Sequence, residues 1–250
     1  MPRSIRPKPS ITLWDRFFPP VCSYCRKAIP DNFPLEGICP RCFSTFPLRS
    51  PEHSQGILDD PARALGALQF PLFIASYYED MPKQAVRGIK FHDRPDFARS
   101  LGEILALFWQ RSSSEKASSP FKELSQISYL VPLPLHAKRL KERGYNQAQL
   151  LAEKMLEAGD FSLELRTDII ARQRPTQRQS EASDRVARIN NVRGAFVLRA
   201  PEIGPSNCSK SVLLLDDVLS SGASLYEAAK VLYNGGYEVH ILALASDRPL

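Results

Sequence analysis

Asp216 and Asp217 follow four apolar residues, Val212 to Leu215, and precede the run Val218, Leu219, Ser220, Ser221, Gly222, Ala223 and Ser224. Paired carboxylates repel a phosphate, but as acceptors they suit the neighbouring hydroxyls of a ribose. The small hydroxyl-rich loop after them does the opposite. Its backbone N–H groups and hydroxyls, backed by the dipole of a following helix, form a cradle for an anion. A sugar phosphate satisfies both halves. A buried strand ending in a polar, capped turn is the plain structural alternative, since Ser and Asp are common at such ends. The apolar run reads as a strand buried on both faces, and the apolar period over Leu225 to Tyr233 predicts a helix behind the loop. In an open α/β sheet ligands bind at the carboxyl ends of strands, which is where this run places its acids.

A second cluster of charge lies at Val131 to Gln147. It holds His136, Lys138, Arg139, Lys141 and Arg143 beyond a strand-like segment. Arginines there suit bidentate contact with phosphate oxygens arriving beside the acidic pair. For any single cation the alternative is a solvated helix face or an ion pair, and a turn histidine such as His136 is more often structural.

A third constellation is Cys22-x2-Cys25, thirteen residues, then Cys39-x2-Cys42. Two such knuckles can bring four thiolates to one tetrahedral Zn²⁺, and four thiolates leave no open position, so the role expected is structural. The surrounding segment is rich in proline and too short for a core of its own, which metal would offset. Two disulfides or a redox CxxC are the alternatives. Nothing in the sequence reads as secreted or thioredoxin-like. Cys208 stands alone in a polar linker.

These groups have to be positioned by an α/β frame. Strands are expected over Phe70–Tyr78, Ile127–Leu133, Leu163–Ile170, Ala195–Leu198 and Val212–Leu215, with Glu238–Ala245 closing the sheet. Helices are expected over Met81–Phe91 and Pro95–Gln110, and across Lys138–Ala158 with an irregular turn near Gly144. Phe97, Leu101, Ile104, Leu105 and Phe108 fall on one helical face. Alternating strands and helices imply a mainly parallel sheet flanked by helices. The expected organisation is a basic arm over 1–20, a zinc-ribbon module over 21–48, a connector over 49–64 and the α/β domain over 65–250.

With 250 residues, 43% of them hydrophobic, the chain has ample material for one such domain and an appendage. No apolar run approaches a membrane span, and the basic N-terminus lacks the apolar segment of a secretory signal, so a cytoplasmic protein with no membrane insertion is expected. A net charge of +6 favours anionic partners. Between Arg172 and Arg199 seven arginines face two acids, a local excess that suits a polyanion or a pyrophosphate.

The acidic pair and its loop resemble the phosphoribosyl-pyrophosphate (PRPP) signature of type I phosphoribosyltransferases, with serines where threonines are common in that family. The string from Pro134 to Gln147 (P-L-H-x-x-R-x-x-x-R-G-x-N-Q) narrows the resemblance, as do Arg172-x-Arg174-x-Thr176-x-x-Gln179 and Arg188-x-x-Asn191-x-x-Gly194-Ala-Phe196. Together with the paired CxxC, in this order, they resemble the ComF family, in which a zinc ribbon precedes a phosphoribosyltransferase-like domain linked to DNA uptake in natural transformation.

The resemblance implies that Asp216 and Asp217 meet the ribose 2′- and 3′-hydroxyls while residues 218–224 wrap the 5′-phosphate. It puts Arg139, Arg143, Asn146 and Gln147 on the diphosphate side, and Arg172, Arg174, Thr176 and Gln179 in a mobile region over it. Lys90 occupies a helix end where the family usually has a lysine. Structural Zn²⁺ on Cys22, Cys25, Cys39 and Cys42, and Mg²⁺ carried with PRPP, are the implied cofactors.

Three functions remain open on these residues. One is pentosyl transfer from PRPP, with Arg139, Arg143 and Lys90 stabilising the leaving group. The second is a non-catalytic single-stranded nucleic-acid module working with competence machinery proteins. The third is a PRPP-sensing regulator. No general base and no acceptor pocket is legible, and little chain follows Ser246 to build a hood over an acceptor.

Overall fold

The computed structural model describes residues 18–60, 67–92, 94–112, 126–175, 191–199 and 210–248. The knuckle segment comes first, with one short helix, α1 (Pro40–Ser44), entered through Cys39 as N-cap with proline in its first turn. There the missing N–H of proline costs nothing. A strand follows in the connector, β1 (Gln55–Leu58). The remaining elements are β2 (Phe70–Tyr77), α2 (Asp80–Phe91), α3 (Asp96–Ser112), β3 (Tyr129–Pro132), α4 (Ala137–Arg143), α5 (Gln147–Ala158), β4 (Glu164–Leu165), β5 (Ile170–Arg172), β6 (Phe196–Leu198), β7 (Ser211–Leu219), α6 (Ala223–Asn234) and β8 (Glu238–Ser246).

Six strands form one sheet in the order β1-β2-β8-β7-β3-β4, and β5 with β6 form a separate antiparallel ribbon. Only β1 runs antiparallel to its neighbour in the main sheet; the other pairings are parallel. The fold is therefore the expected α/β class, a mainly parallel sheet with flanking helices. Two apolar clusters, one on each face, bury the sheet's two sides: Phe73, Leu213, Leu215 and Leu242 on one, Leu72, Ile74, Leu214 and Ile241 on the other. That alternation explains why β7 and β8 read as continuous apolar runs rather than as half-polar strands.

Three expectations need correction. The segment Leu163–Ile170 is not one strand: β4 pairs with β3, whereas β5 leaves to pair with β6. Between them Arg166 donates two hydrogen bonds to Asp168, each 2.8 Å, which closes a local turn. Second, Glu238–Ala245 does not close the sheet. It is an inner strand between β2 and β7, and the edges are β1 and β4. Third, the region Lys138–Ala158 is two helices. Gly144 ends α4 at φ 79°, a left-handed geometry that glycine adopts without strain, and the Asn146 side chain then caps α5 by accepting the Ala148 N–H.

The knuckle segment packs on α3. Cys22, Ile29, Leu35 and Ile38 share an apolar cluster with Phe97, Leu101, Ile104 and Leu105 of the predicted helical face. Gly37 lies so close that a Cβ there would meet the Ser100 backbone nitrogen at 2.4 Å. The Glu103 carboxylate accepts the backbone N–H of Glu36 at 2.7 Å and of Gly37 at 3.0 Å. Among the described residues no helix is long and apolar enough to cross a membrane.

Candidate functional site

After β3 the chain moves outward to β4, and after β7 it moves the other way, to β8. Adjacent parallel strands whose connections diverge leave a crevice at their carboxyl ends. A cleft of about 520 Å³ opens there, lined from the β3 side by Leu133, Pro134, Leu135, Arg139, Arg143, Asn146 and Gln147. From the β7 side come Asp216, Asp217, Val218, Ser220, Ser221, Ala223 and Ser224, and α2 adds Lys90 and Phe91.

The acidic pair is asymmetric. Asp217 is 5% exposed and receives the Lys90 ammonium on both oxygens, at 2.7 and 2.9 Å. Asp216 lies in the cleft and accepts the Asp217 backbone N–H at 2.8 Å. Burial, then the adjacent Asp217 charge, pushes the Asp216 carboxyl up to about 7, against the opposing pull of Lys90. Burial by itself would lower the Lys90 pKa, but the charges of Asp217 and Asp216 outweigh it and the ammonium is held above its ordinary value. Burial and then the neighbouring Arg139 lower the Arg172 guanidinium. The cleft thus has a cationic wall at Arg139 and Arg172 and an anionic floor at Asp216.

Contrary to the expected start at Val218, β7 continues through both acids to Leu219, so the loop begins at Ser220 and is held from below. Leu219 is buried, and its carbonyl accepts the Ser246 hydroxyl at 3.0 Å. Gly222 turns at φ 76° as N-cap of α6, so the loop meets the amino end of a twelve-residue helix. The Ser221 hydroxyl accepts the Ala223 N–H at 3.4 Å. Arg49, which is 6% exposed, donates to the carbonyls of His53 and Ser246, each at 3.0 Å, and to that of Arg248. Arg248 in turn reaches the Ser221 carbonyl at 3.4 Å. The loop at the amino end of α6 is thus braced by Arg49 and by the ends of β2 and β8.

Most of the expected residues converge. Lys90, Arg139, Arg143, Asn146, Gln147, Arg172, both aspartates, Val218, Ser220, Ser221, Ala223 and Ser224 line one cleft, with Leu219 and Gly222 forming the loop's underside and turn. Arg174 does not line it; its guanidinium donates to the carbonyls of Asn191, at 3.2 Å, and Arg193, at 2.6 Å. Thr176 and Gln179 lie outside the described residues, as does Cys208. Asn146 spends its side chain on the α5 cap and on the Leu133 carbonyl at 3.0 Å, so it shapes the β3 loop. Gln147 accepts from Arg143 at 2.8 Å and leaves a buried amide N–H₂ without a partner among the described residues. Such a donor, buried at the cleft, invites an acceptor. His136 caps α4 by accepting the Lys138 N–H at 3.2 Å. Residues not foreseen include Arg49, Phe91, Ala148 and Val192; Arg49 sits in the connector, with no nearby motif to mark it.

At the knuckles, the sulfurs of Cys22, Cys25, Cys39 and Cys42 all lie within 4.8 Å of one another, with Cys25 and Cys39 at 3.6 Å. Four sulfurs about 2.3 Å from a tetrahedral zinc stand just under 4 Å apart, so the set fits such an ion. Burial raises the Cys39 and Cys42 thiols, while the Lys27 backbone N–H lowers Cys25 to about 7. These four residues can hold a metal such as zinc.

Fold and cleft together define an α/β protein with a ligand-sized crevice at a topological switch point and a four-thiol cluster packed on its flank. No family model matches the chain. It is nevertheless similar over most of its length to proteins named for competence and for DNA utilization. It is 27% identical to DNA utilization protein YhgH of Salmonella typhimurium over 86% of this chain and 85% of the relative. It is 25% identical to competence protein F of Haemophilus influenzae over 87% and 86%. Competence protein ComFC of Bacillus subtilis is 28% identical over 64% of this chain and 56% of its own. Structures that overlap in part include a hypoxanthine phosphoribosyltransferase from Staphylococcus aureus, at TM-score 0.34 and 12% identity over 61% of this chain and 67% of that one. An adenine phosphoribosyltransferase from Leishmania donovani overlaps at TM-score 0.35 and 12% identity over 70% and 84%. At such scores the fold class stands on the sheet topology.

Proposed function

We propose that the chain binds PRPP in this cleft and acts, like the competence proteins it resembles, in the handling of incoming DNA. The observation that carries the reading is the convergence of an acidic pair, a hydroxyl-rich loop at a helix amino end and a cationic wall on one cleft. In the proposed pose the 5′-phosphate takes the backbone and hydroxyls of Ser220 to Ser224, where the helix dipole favours it. Asp216 accepts from the ribose hydroxyls, and Asp217 does so once Lys90 yields one oxygen. The pyrophosphate then faces Arg139, Arg143 and the buried Gln147 amide, as charge-assisted contacts require.

Mg²⁺ would travel with PRPP, held mostly by pyrophosphate oxygens and water, the ligands that ion prefers. Zinc on the four thiolates would be structural. Pyrophosphate departure from ribose C1 would be assisted by the same arginines, through stabilisation of developing charge rather than proton transfer.

The test is calorimetric titration of the zinc-loaded protein with PRPP, with and without Mg²⁺. Saturable, Mg²⁺-dependent binding that Asp216→Asn with Asp217→Asn abolishes, at unchanged zinc content, is the expected result. Absence of binding, or binding indifferent to that double substitution, removes the assignment and leaves single-stranded DNA as the ligand to titrate next.

A further inference from the structure

Arg49 does not line the cleft, yet the support of the phosphate loop runs back to it. Backbone pairing sets its place. Leu48 bridges to Ser76, the Arg49 N–H donates to the Ala75 carbonyl at 3.0 Å, and the Tyr77 N–H donates to the Pro47 carbonyl at 3.0 Å. These contacts seat the start of the connector against the last residues of β2. The chain arrives there from Phe46, which is buried in the apolar cluster that the knuckle segment shares with α3.

The Arg49 guanidinium is buried over the Tyr77 ring, 4.4 Å from its centre. Nε donates to the Ser76 carbonyl at 3.4 Å; the other nitrogens donate to the carbonyls of His53 and Ser246, each at 3.0 Å, and of Arg248. Among the described residues no carboxylate pairs with it. A buried cation is a weak source of stability in its own right. What distinguishes this one is the set of carbonyls it gathers, two of which belong to the tail of β8.

From that tail the relay to the loop is short. Ser246 stands in register with Tyr77 of β2 on one side and with Leu219 of β7 on the other. Its hydroxyl donates to the carbonyl of Leu219, the residue before the loop, and accepts the Arg248 N–H at 3.1 Å. The Arg248 side chain then reaches the Ser221 carbonyl inside the loop. Arg49 thus grips the tail at two carbonyls, and the tail holds the loop at two others. Amides that receive a phosphate bind it best when they are oriented before it arrives, because ordering them on binding costs affinity.

We infer that Arg49 is a positioning residue for the phosphate loop: by gripping the tail of β8 it keeps the amides of Ser220 to Ser224 oriented for the ligand's 5′-phosphate. The inference rests on the ribose-phosphate reading above. It gives the connector a part in the site and ties the loop's shape to the segment that leads out of the knuckles.

Two ligands separate this role from a general effect on the fold. In that reading ribose 5-phosphate uses the loop, whereas inorganic pyrophosphate with Mg²⁺ uses the cationic wall. Both are titrated calorimetrically into the zinc-loaded full chain and into two variants. Arg49→Lys keeps the charge but cannot span the four carbonyls. Ser246→Ala cuts the relay one bond further on, at a residue that is fully buried and does not line the cleft, so its effect cannot come from touching the ligand. Each variant is expected to bind ribose 5-phosphate about tenfold more weakly and pyrophosphate within about twofold of the unsubstituted chain. The double variant should lose clearly less than the product of the two single losses, because both cut one relay. Should Arg49→Lys fail to fold, Ser246→Ala carries the same expectation alone. Unchanged ribose 5-phosphate affinity in Ser246→Ala or in folded Arg49→Lys, an equal fall for both ligands, or losses that multiply in full would overturn the positioning role. If the unsubstituted chain does not bind ribose 5-phosphate, the reading of the cleft falls first, and this inference with it.

Discussion

The Lys90 ammonium bridges both carboxylate oxygens of Asp217, 2.7 and 2.9 Å away, from the last turn of α2 to the carboxyl end of β7. The pair ties α2 to the strand that supplies the acidic floor. Asp216, which burial and then the Asp217 charge push up to about 7, lies beside it in the same cleft.

Removing the lysine strands a nearly buried carboxylate. Loss of one partner of a buried pair costs about 3–5 kcal/mol, and the 24% exposure of the Lys90 side chain reduces this to about 2 kcal/mol. Lys90→Ala should therefore lower stability by about that amount in urea denaturation, while Lys90→Ala with Asp217→Asn recovers most of it. Strict additivity of the two substitutions would show that the pair does not couple α2 to β7.

Asp216 makes a prediction in pH. Its carboxyl is raised from 3.8 to about 7 by burial and the adjacent charge, so the folded state holds the proton more tightly than the unfolded chain. Stability from that group is full below about pH 4 and is lost as pH rises through about 7. Asp216→Asn keeps the acceptor for the Asp217 N–H and removes the penalty. Its melting temperature should exceed that of the unsubstituted protein by a few degrees at pH 8, with the gap shrinking toward pH 5.5. Ligand affinity should fall in the same variant. A gap that does not change with pH would show that Asp216 titrates normally.

Much of this frame was legible from the sequence because its signals are local. A continuous apolar run ending in two acids and a glycine-centred loop marks a buried strand, a site and a helix start; Gly222 and α6 stand where those signals put them, whereas β7 runs on through both acids to Leu219. The five apolar residues of α3 are all buried for the same reason. What escaped depends on distant partners. Whether residues 164–172 pair with β3 or with β6, whether β8 lies inside the sheet, and that β1 adds an edge are decided by register across the whole chain. Arg49 escaped likewise, since its partners are carbonyls of His53, Ser76, Ser246 and Arg248, gathered only by the fold.

Gly222 tests the phosphate loop. At φ 76° an alanine is strained by about 1–2 kcal/mol, and its Cβ would also meet the Leu58 Cδ1 of β1 at 2.8 Å. The leucine tip can move, so the backbone strain dominates. Gly222→Ala should lose about that much stability and weaken PRPP and ribose 5-phosphate binding together, because both use the loop. Weaker PRPP binding with unchanged ribose 5-phosphate binding would place the 5′-phosphate elsewhere.

The knuckle segment should not melt as a separate unit. Its buried residues share one apolar cluster with α3, Gly37 lies against the Ser100 backbone, and Glu103 accepts two of the segment's amides. Loosening the segment therefore uncovers the face of α3 that carries Phe97, Leu101 and Ile104, and the cost is felt by the sheet behind it. Metal binding contributes folding free energy wherever the site exists only in the folded state. Chelation, or Cys39→Ser, should then lower the midpoint of the main unfolding transition in calorimetry rather than add an early, separate one. Zinc in the Cys39→Ser variant should fall well below one per chain. Retention of stoichiometric zinc would refute the four-thiolate site, and two independent transitions would show that the segment folds without leaning on α3.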